Sequence, residues 1–571
     1  MANTKSILNH IVRVILLITS LVVADVAQAV QPGRLWFYAT VNFQQNSETD
    51  GLIKLLNRAK KCGYNGAAIN DYKFGNLTDR SQQYFENLKR AKQAADKVGI
   101  ELIPCVMPVG YSSSVLQHNP NLAAGLPVRQ TPMIVRDGVA TTPGDNLLSG
   151  GQLDRGNSDQ SEKSKPPQGW SYIDGWGKST QYDKSIKHSG DASLKMTDFR
   201  KGHAKGNCRL MQTVSVRPYR QYQLVVWAKT DNARGGEIQA AVSHADRTLN
   251  YASLGVQRNQ GWTRHAIVFN SLDAEQVNIA LGIWGGESGT LWMDSVELRE
   301  VAGVNLLRRK GCPAVVRESD SGRILNEGRD YQLWQDPKLG MVPSAGKYSD
   351  DHDGPPLRLT KESGIADGTR LDVSFYHTVL VHDHQVCGSL VHDELFKIMQ
   401  QQVQTIQKYW QPTTFFLQHD EIRLSGHDEL VQPGQTCGEL LAANFSRCES
   451  IIHKLAPSAE VIAWSDMFDP HHNAVDNYYL SKSTLKQSWK GLSSKVTVAN
   501  WNHHKSNKSL EWFAGRKHKQ LIAGYYDKPV KENAVHWRQA SENVDGVSGW
   551  IYATWTKNYD DLEAFAKATQ F

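Results

Sequence analysis

Three Asp-Glu pairs in this sequence each follow a histidine, and their surroundings indicate which pair is placed for chemistry. His392-Asp393-Glu394 opens a helical pattern, and His427-Asp428-Glu429 lies in a polar stretch. His419-Asp420-Glu421 instead follows the apolar run 415–417. Because two neighbouring carboxyl groups disfavour ionising together, Glu421 can stay protonated as a general acid beside a charged Asp420. The sequence therefore predicts a catalytic pair, and a buried ion pair with Arg423 is the alternative.

The elements that would position this pair occur in two separate parts of the chain. Three β-rich runs lie within 34–110 and five more within 412–555, with helical patterns between them. This alternation favours a parallel sheet. Eight strands in roughly 300 residues indicate an α/β fold of the (β/α)₈ TIM-barrel type. A doubly wound open sheet is the alternative, although no GxGxxG or Walker loop accompanies it.

The alternation of strands and helices stops after the third strand. Residues 150–169 are polar and contain Gly, Ser and Pro, and the stretch that follows shows short alternating strands about every ten residues. That spacing is typical of a β-sandwich. The predicted organisation is a signal peptide at 1–29, a first barrel part at 30–144, an all-β module at 145–302, a β-rich connecting segment at 303–389 and a second barrel part at 390–571.

Active sites of such barrels lie at the C-terminal ends of the strands. The residues predicted at these ends combine carboxylates, amides and large aromatic rings, which suits glycoside chemistry. A phosphate site would instead need Gly-rich loops with Lys or Arg. The predicted substrate-binding residues are Asn70, Asp71, His419, Arg423, Trp464, Asp466, Trp501, Asn502, Tyr525, Tyr526, Asp527 and Trp555.

Composition excludes several classes of protein. The chain is 40% hydrophobic and 21% charged, as is ordinary for a globular protein, and its net charge of +6 is spread without a long basic run. No nucleic-acid partner is therefore expected. Adjacent histidines at 471–472 and 503–504, and the His-Asp-His segment at 382–384, lack ordered ligand spacing. We accordingly predict neither a metal nor a cofactor.

The N-terminus has the pattern of a secretory signal peptide. Lys5 and Arg13 are basic, 14–24 is apolar, and Ala27-Gln28-Ala29 forms a small-x-small cleavage site. The predicted protein is secreted or periplasmic, is cleaved after Ala29 and has no integral membrane span thereafter. An uncleaved anchor is the alternative. Seven cysteines without a CxxC spacing are predicted to be mostly buried free thiols.

The all-β module resembles the CenC-like carbohydrate-binding modules. The residues that carry the resemblance lie at 146–148, 188–196, 212–218, 222–230 and 289–301. The resemblance implies a β-jelly-roll fold and a polysaccharide or oligosaccharide partner. Candidate sugar platforms are Trp170, Trp176, Trp262 and Trp284, with plain core tryptophans as the alternative, whereas Trp227 and Trp292 are expected in the core.

The barrel resembles the family 20 glycoside hydrolases, the β-N-acetylhexosaminidases, in an Asp-Glu pair ending strand four and in tryptophans on later strands. The resemblance implies that Glu421 is the general acid/base and that Asp420 orients the substrate acetamido group, whose carbonyl attacks the anomeric carbon. Tyr525 or Tyr526 would contact the acetamido oxygen. Trp464, Trp501 and Trp555 would wall the sugar. Where that family has two glycines before the pair, this chain has Gln418-His419.

The sequence thus predicts an exported glycoside hydrolase that cleaves β-linked glycans, including N-acetylhexosaminides by substrate-assisted catalysis. Three alternatives stay open. A retaining glycosidase would use Asp527 or Asp466 as a nucleophile across from Glu421. A carbohydrate-binding protein would have lost catalysis. A metal-dependent deacetylase or lyase would lose its activity in EDTA.

Overall fold

The computed structural model describes residues 33–154, 165–382 and 384–569, so the predicted signal peptide at 1–29 lies outside the described residues. Eight parallel strands close into a barrel, and the first strand pairs with both the second and the eighth. The predicted parallel barrel in two sequence segments is therefore confirmed. Its strands are Arg34–Thr40, Gly66–Asn70, Glu101–Val106, Thr414–Leu417, Glu460–Trp464, Thr497–Asn500, Gln520–Tyr525 and Val547–Ala553.

Large side chains fill the inside of the barrel. Trp36 and Tyr38 of the first strand form one buried cluster with Phe416 of the fourth and Trp464 of the fifth. Their neighbour Phe37 belongs to the separate, larger hydrophobic cluster. This division follows from the alternation of side chains along a strand, which sends every second residue into the barrel. Because the interior is packed, a substrate site has to lie at the rim.

Helices follow seven of the eight barrel strands and cover the outside of the barrel. Sequence signals set several of their ends: Thr436 caps one helix with Glu439 in a reciprocal capping box, and Gly99 ends another at a φ of 66°. The fifth connection, 465–496, is described throughout and contains two 3₁₀ turns but no α-helix, unlike the predicted (β/α)₈ pattern. The seven helices are Asn46–Lys61, Gln82–Val98, Asp393–Trp410, Cys437–Leu455, Ser506–Ala514, Val530–Ser541 and Leu562–Thr569.

The insertion after the third strand contains an all-β module of two five-stranded sheets. Buried residues of both sheets, such as Met293 and Leu281, belong to one hydrophobic cluster. The first sheet comprises, in order, Gln260–Asn270, Gln221–Arg234, Ser288–Val301, Ser193–Thr197 and Thr180–Asp183. The second comprises Arg247–Ser253, Glu237–His244, Gln276–Trp284, Cys208–Ser215 and Tyr172–Ile173.

The tryptophans of this module divide differently from the prediction. Trp170 is buried and its indole N–H donates to the Gly150 carbonyl at 3.1 Å, so it belongs to the core. Trp227, which was expected in the core, is half-buried and stacks on the His188 ring at 3.9 Å. Trp292 is buried as expected. The other candidate platforms, Trp176, Trp262 and Trp284, are half-buried.

A third antiparallel sheet changes one predicted boundary. Residues 126–141 were expected to belong with the barrel, but Leu126–Arg136 pairs with Arg370–His377, and Val139–Thr141 pairs with Leu357–Arg358. The run 126–141 is apolar enough to resemble more barrel sequence, but its partners lie more than 200 residues away in sequence. The sheet also includes Leu306–Leu307, Val315–Glu318 and Ile324–Leu325.

Buried polar contacts fasten the insertion to the barrel. The Arg309 guanidinium forms an ion pair with Asp428 at 2.7 Å, and both side chains are nearly excluded from solvent, at 5% and 6% exposure. The Ser389 hydroxyl donates to the same carboxylate at 2.8 Å. Asp428 lies in the loop after the fourth barrel strand, so this loop is held by the inserted segment.

Two further observations concern the helices and the cysteines of the protein. Within the described ranges, no helix combines the length and the apolar character needed to cross a membrane. All seven cysteines are free, and six of them are buried, which confirms the prediction from their spacing.

Candidate active site

Three carboxyl groups meet at the rim of the barrel. Asp420 and Glu421 follow the fourth strand and Asp466 follows the fifth. The Glu421 backbone N–H donates to Asp466 Oδ2 at 2.8 Å. The Asn473 amide donates to the same oxygen at 3.0 Å, and the Trp501 indole N–H donates to the other at 3.3 Å. Asp466 is fully buried, and these three donors satisfy its carboxylate.

Asp420 is the carboxyl group that holds a proton at neutral pH. Removal from water, and then the charges of Asp466 and Glu421, raise the pKa of Asp420 to about 8. Asp466 also has a raised pKa because it is buried, but its three donors favour its charged form. Of the two, Asp420 is the one that keeps the proton. A pair of acids with separated proton affinities is the arrangement that general acid catalysis requires.

Glu421 is held by an ion pair and by two elements from outside the fourth strand. Its Oε1 lies 2.7 Å from Arg423 Nη2, and its other carboxylate oxygen accepts a hydrogen bond from the Tyr111 hydroxyl. The Gln385 amide donates to the Glu421 carbonyl at 2.6 Å and accepts from Arg423 Nη1 at 2.6 Å. The ion pair with Arg423, which the sequence analysis gave as the alternative to a catalytic pair, is therefore present. It makes Glu421 less available than Asp420 as the proton donor.

The backbone around Glu421 is strained in a way that requires a neighbouring glycine. Glu421 has a φ of 48°, in the left-handed region. A Cβ at Gly110 would lie 2.0 Å from the Asp420 carbonyl oxygen, so only glycine lets the third-strand loop pass this close. Tyr111 follows directly and thereby reaches the carboxylate. Strain of this kind clusters at functional sites.

Aromatic rings surround the carboxyl groups. The Tyr38 ring lies 6.2 Å from Trp464 and 5.1 Å from Trp555. The Tyr526 ring stacks on Trp501 at 6.0 Å and lies 5.9 Å from Trp555. Trp464 is buried, whereas 54% of Trp555 is exposed. The rings thus run from the packed interior to the open rim, and flat apolar surfaces of this kind stack on the C–H faces of sugars.

Tyr526 brings an unused hydroxyl group to this wall. Its buried oxygen has no hydrogen-bond partner in the described part of the chain. Burial raises the pKa of this phenol well above its ordinary value, so it stays protonated and can donate. Tyr525, Tyr526 and Asp527 are three successive residues with positive φ, at 79°, 49° and 55°. A buried donor without a partner on a strained loop is suited to bind a substrate oxygen.

Several predicted residues are turned away from the carboxyl groups. His419 lies between two residues that face the barrel, so its side chain points outward and its Nε2 contacts Asn444 Oδ1 at 3.0 Å. Burial lowers the pKa of His419 to about 4, so the ring is neutral. Tyr525 donates to Asp561 at 2.9 Å and stacks on Tyr552, in the outer layer. These two residues support the barrel and do not line the site.

Two more predicted residues hold loops in place. Asp71 accepts hydrogen bonds from the Phe43 N–H and the Tyr84 hydroxyl, both at 3.0 Å. The buried Asn502 amide donates to the Ser509 hydroxyl at 2.8 Å. Loops often consume their polar side chains in this way.

Asp527 is engaged in the same manner at the eighth strand. It accepts from the Thr554 and Thr556 hydroxyls, both at 2.8 Å, and from the Trp555 N–H at 3.1 Å. These donors outweigh partial burial and lower the pKa of Asp527. Asn70, the remaining predicted residue, ends the second strand beside the Tyr38 hydroxyl.

Three site residues were missed by sequence reasoning. Tyr38 could have been predicted from the sequence. It lies two residues after Trp36 near the end of the first strand, so its side chain points into the barrel as that of Trp36 does. Tyr111 follows the third strand, and no site residue was predicted at the end of that strand. Gln385 comes from the inserted segment, and no local pattern indicates that it returns to the barrel.

The described residues contain no group of three His, Cys, Asp or Glu side chains arranged to hold a metal ion. Histidines from the segments considered as metal ligands instead contact other rings. His472 lies 4.5 Å from Trp501, His503 stacks on His536 at 4.0 Å, and His382 stacks on Tyr251 at 5.6 Å. Asp383 lies outside the described residues.

No protein-family model matches the chain, and no curated protein matches it. Among solved structures, a rhamnosidase from Novosphingobium sp. PP1Y is similar over 92% of this chain and 55% of its own length, with 9% identity and a TM-score of 0.32. The chain spans about half of that enzyme. A carbohydrate-binding module described as CBM4 matches 27% of this chain and 99% of its own, with 16% identity and a TM-score of 0.19. The module TmCBM61, solved with β-1,4-galactotriose, matches the same shares at 17% identity and a TM-score of 0.21.

Proposed function

We propose that the protein is a glycoside hydrolase that cleaves β-linked glycans at the rim of its barrel. The observation that carries this proposal is the cluster of Asp420, Glu421 and Asp466, in which Asp420 has the raised pKa of a proton donor. Glycoside hydrolysis needs a protonated acid for the leaving oxygen and a carboxylate near the developing positive charge. The ring of aromatic side chains provides the surface on which a sugar can stack.

The geometry favours Asp420 as the proton donor. The sequence and the family 20 resemblance assign this role to Glu421, but Glu421 is engaged by Arg423 and Tyr111. Asp420 combines a raised pKa with a position among Tyr38 and Tyr526. Glu421 would then bind a sugar hydroxyl, and Asp466 would stabilise the positive charge at the anomeric carbon.

The attacking group is either the substrate's acetamido carbonyl or a protein carboxylate. Asp527 is a poor nucleophile candidate because three donors already occupy its carboxylate. Three donors occupy Asp466 as well, but Asp466 lies beside Glu421 and is therefore the protein carboxylate to test. Tyr526 is placed to bind the acetamido oxygen, which is the assignment that substrate assistance requires.

The test compares Asp420→Asn and Glu421→Gln on p-nitrophenyl and 2,4-dinitrophenyl β-glycosides, each with a 2-acetamido or a 2-hydroxyl sugar. A variant that lacks the proton donor keeps much more activity on the dinitrophenyl leaving group, which needs no proton. We expect this pattern for Asp420→Asn and a uniform loss for Glu421→Gln. The reverse pattern would return the role to Glu421. Turnover of acetamido sugars alone indicates substrate assistance, and turnover of 2-hydroxyl sugars indicates Asp466.

A carbohydrate-binding protein without catalysis is the second candidate, because the Glu421–Arg423 ion pair is also compatible with a site that only binds. Calorimetric titration with β-linked oligosaccharides separates the two: binding that is equal in wild type and Asp420→Asn, without product, would support the second candidate. We also propose that the protein is exported, from the signal pattern at 1–29. The mass of the mature chain tests this proposal.

A further inference from the structure

One segment of the insertion links the candidate active site to the all-β module. Gln385 contacts both Glu421 and Arg423. Three residues earlier, the His382 N–H donates to the Tyr251 carbonyl at 2.8 Å, and the two rings stack at 5.6 Å with an interplanar angle of 29°. Tyr251 belongs to the edge strand Arg247–Ser253 of the module. The short stretch from His382 to Gln385 therefore contacts both the module and the residues around Glu421.

The same edge strand makes a second contact with the barrel. Arg247 donates to Asn477 Oδ1 in the loop after the fifth barrel strand at 3.3 Å. Two residues further along this loop, the Tyr479 ring lies 5.2 Å from the Arg423 guanidinium. The contacts thus close into a circuit that starts and ends at Arg423.

The surface on this side has the composition of a sugar subsite. Tyr251, His382 and Tyr479 are half-buried flat rings, and Arg247 and Asn477 bring polar groups beside them. His382, Asn477 and Tyr479 all have positive φ, at 51°, 56° and 45°. Non-glycine residues in this region are held there by their surroundings, so these three positions have a fixed backbone. Because the proposed active site acts on glycans, the ligand that fits this surface is the next part of the same glycan.

We propose that Tyr251 and His382, with Arg247 beside them, form a subsite that binds the glycan residues beyond the sugar held at Asp420. This inference rests on the proposed function and adds a substrate class: β-linked oligosaccharides, as opposed to monosaccharide glycosides. In this arrangement the module acts as part of the catalytic cleft. Under this proposal Tyr251 contacts only the glycan residues beyond the first sugar, so a monosaccharide glycoside does not use it.

The experiment compares Tyr251→Ala with Tyr251→Phe, which keeps the ring. The matched control is Tyr172→Ala, at the opposite edge of the same sheet, where Tyr172 is 49% exposed. The substrates are p-nitrophenyl β-glycosides of N-acetylglucosamine and galactose and the β-1,4-linked tetrasaccharides of the same sugars. For Tyr251→Ala we expect kcat/KM on a tetrasaccharide to fall about tenfold, as for loss of one good ring contact, with the aryl glycoside unchanged. Tyr251→Phe and Tyr172→Ala should leave both unchanged.

Equal loss on both substrates, or no loss on either, would overturn the subsite. Calorimetric binding of the tetrasaccharides to the Asp420→Asn protein keeps this test independent of turnover. There, Tyr251→Ala should weaken binding about tenfold even if the protein proves to be a non-catalytic binder. Tetrasaccharide binding that ignores Tyr251, or no tetrasaccharide binding at all, would overturn the inference. Loss of turnover with binding intact would instead count against the proposed function alone.

Discussion

Asp420 is subject to two opposing demands. Its carboxyl group is half-buried beside two other acids, which favours the protonated form needed for catalysis. The same surroundings make the ionised form costly in the folded protein, while the unfolded chain ionises it freely. A residue in this position therefore lowers the stability of the protein at neutral pH, which is a common property of active sites.

The first prediction concerns this cost. Between the ordinary Asp pKa of 3.8 and about 8, the folded state binds more protons at Asp420 than the unfolded state, so stability falls as pH rises through that window. Asp420→Asn removes this titration. We expect the variant to be more stable than wild type at pH 7, by about 1–2 kcal/mol, and its stability to change less between pH 5 and 8. Urea unfolding at both pH values measures this difference.

The control for this prediction is Asp527→Asn. Because the pKa of Asp527 is lowered in the folded protein, its charged form stabilises the fold above the ordinary pKa and this stabilisation is lost on acidification. The substitution should therefore reduce stability at pH 7. An Asp420→Asn protein that is less stable than wild type at pH 7 would contradict the burial argument.

Residue by residue, strand ends predicted much of the site but not the direction of every side chain. Asp420, Glu421, Asp466 and several aromatics were found because carboxyl ends of parallel strands meet at one rim. His419 was misplaced because neighbouring side chains on an extended chain point to opposite sides. Its partner Asn444 lies on a distant helix, and this contact is not visible in the local pattern.

Among the elements, the loops after the seventh and eighth strands act together. Asp527, on the seventh-strand loop, accepts three hydrogen bonds from the eighth-strand loop, one of them from the Trp555 backbone. Trp555 is the exposed end of the aromatic wall. The position of its ring therefore depends on a carboxylate that has no direct part in the chemistry.

Asp527→Ala tests this coupling. Loss of the three acceptor contacts should free the eighth-strand loop, so that Trp555 no longer holds the sugar in one orientation. We expect KM for a cleaved aryl β-glycoside to rise about five- to tenfold, with a smaller change in kcat. The change in kcat is smaller because the cluster of carboxyl groups around Asp420 stays in place. Trp555→Ala should reproduce most of the rise. A fall in kcat with unchanged KM would contradict the proposed role of the loop.

The type of an element was predictable where its sequence pattern was strong. The pairing of strands was not predictable where the partner strands lie far apart in the sequence. All eight barrel strands were predicted because buried parallel strands form continuous apolar runs. The predicted first barrel part at 30–144 included residues 126–141, which belong to another sheet because their partner strand, Arg370–His377, lies far along the chain. The missing helix of the fifth connection has no positive signature, since 3₁₀ turns lack a helical period.

At the scale of the whole molecule, the insertion and the barrel are fastened by a buried ion pair. Arg309 and Asp428 are almost fully covered, so removal of one partner leaves an uncompensated charge. We expect Arg309→Met to lower the free energy of unfolding by about 3–5 kcal/mol. Urea unfolding followed by tryptophan fluorescence measures the loss, and the double variant Arg309→Met, Asp428→Leu should recover much of it.

The exposed ion pair between Arg370 and Asp320 is the matched control. Their side chains are 66% and 78% exposed, and Arg370→Met should cost less than about 1 kcal/mol. An equal cost for the two arginine variants would show that burial does not set the strength of the Arg309 contact. It would also remove the main reason for regarding the insertion as a fixed part of the barrel.

The division of the barrel by its insertion has a consequence for synthesis of the chain. Val106 of the third strand pairs with Leu417 of the fourth, and about 300 residues of inserted sequence emerge from the ribosome between the two. At translation rates of about 5–20 residues per second, the first three strands wait roughly 15–60 seconds for their partner. During that interval the all-β module has time to fold and to bring its own two ends together, where the Leu147 N–H donates to the Leu298 carbonyl at 2.8 Å. Its compact fold thus shortens the search by which the late half of the barrel finds the early half.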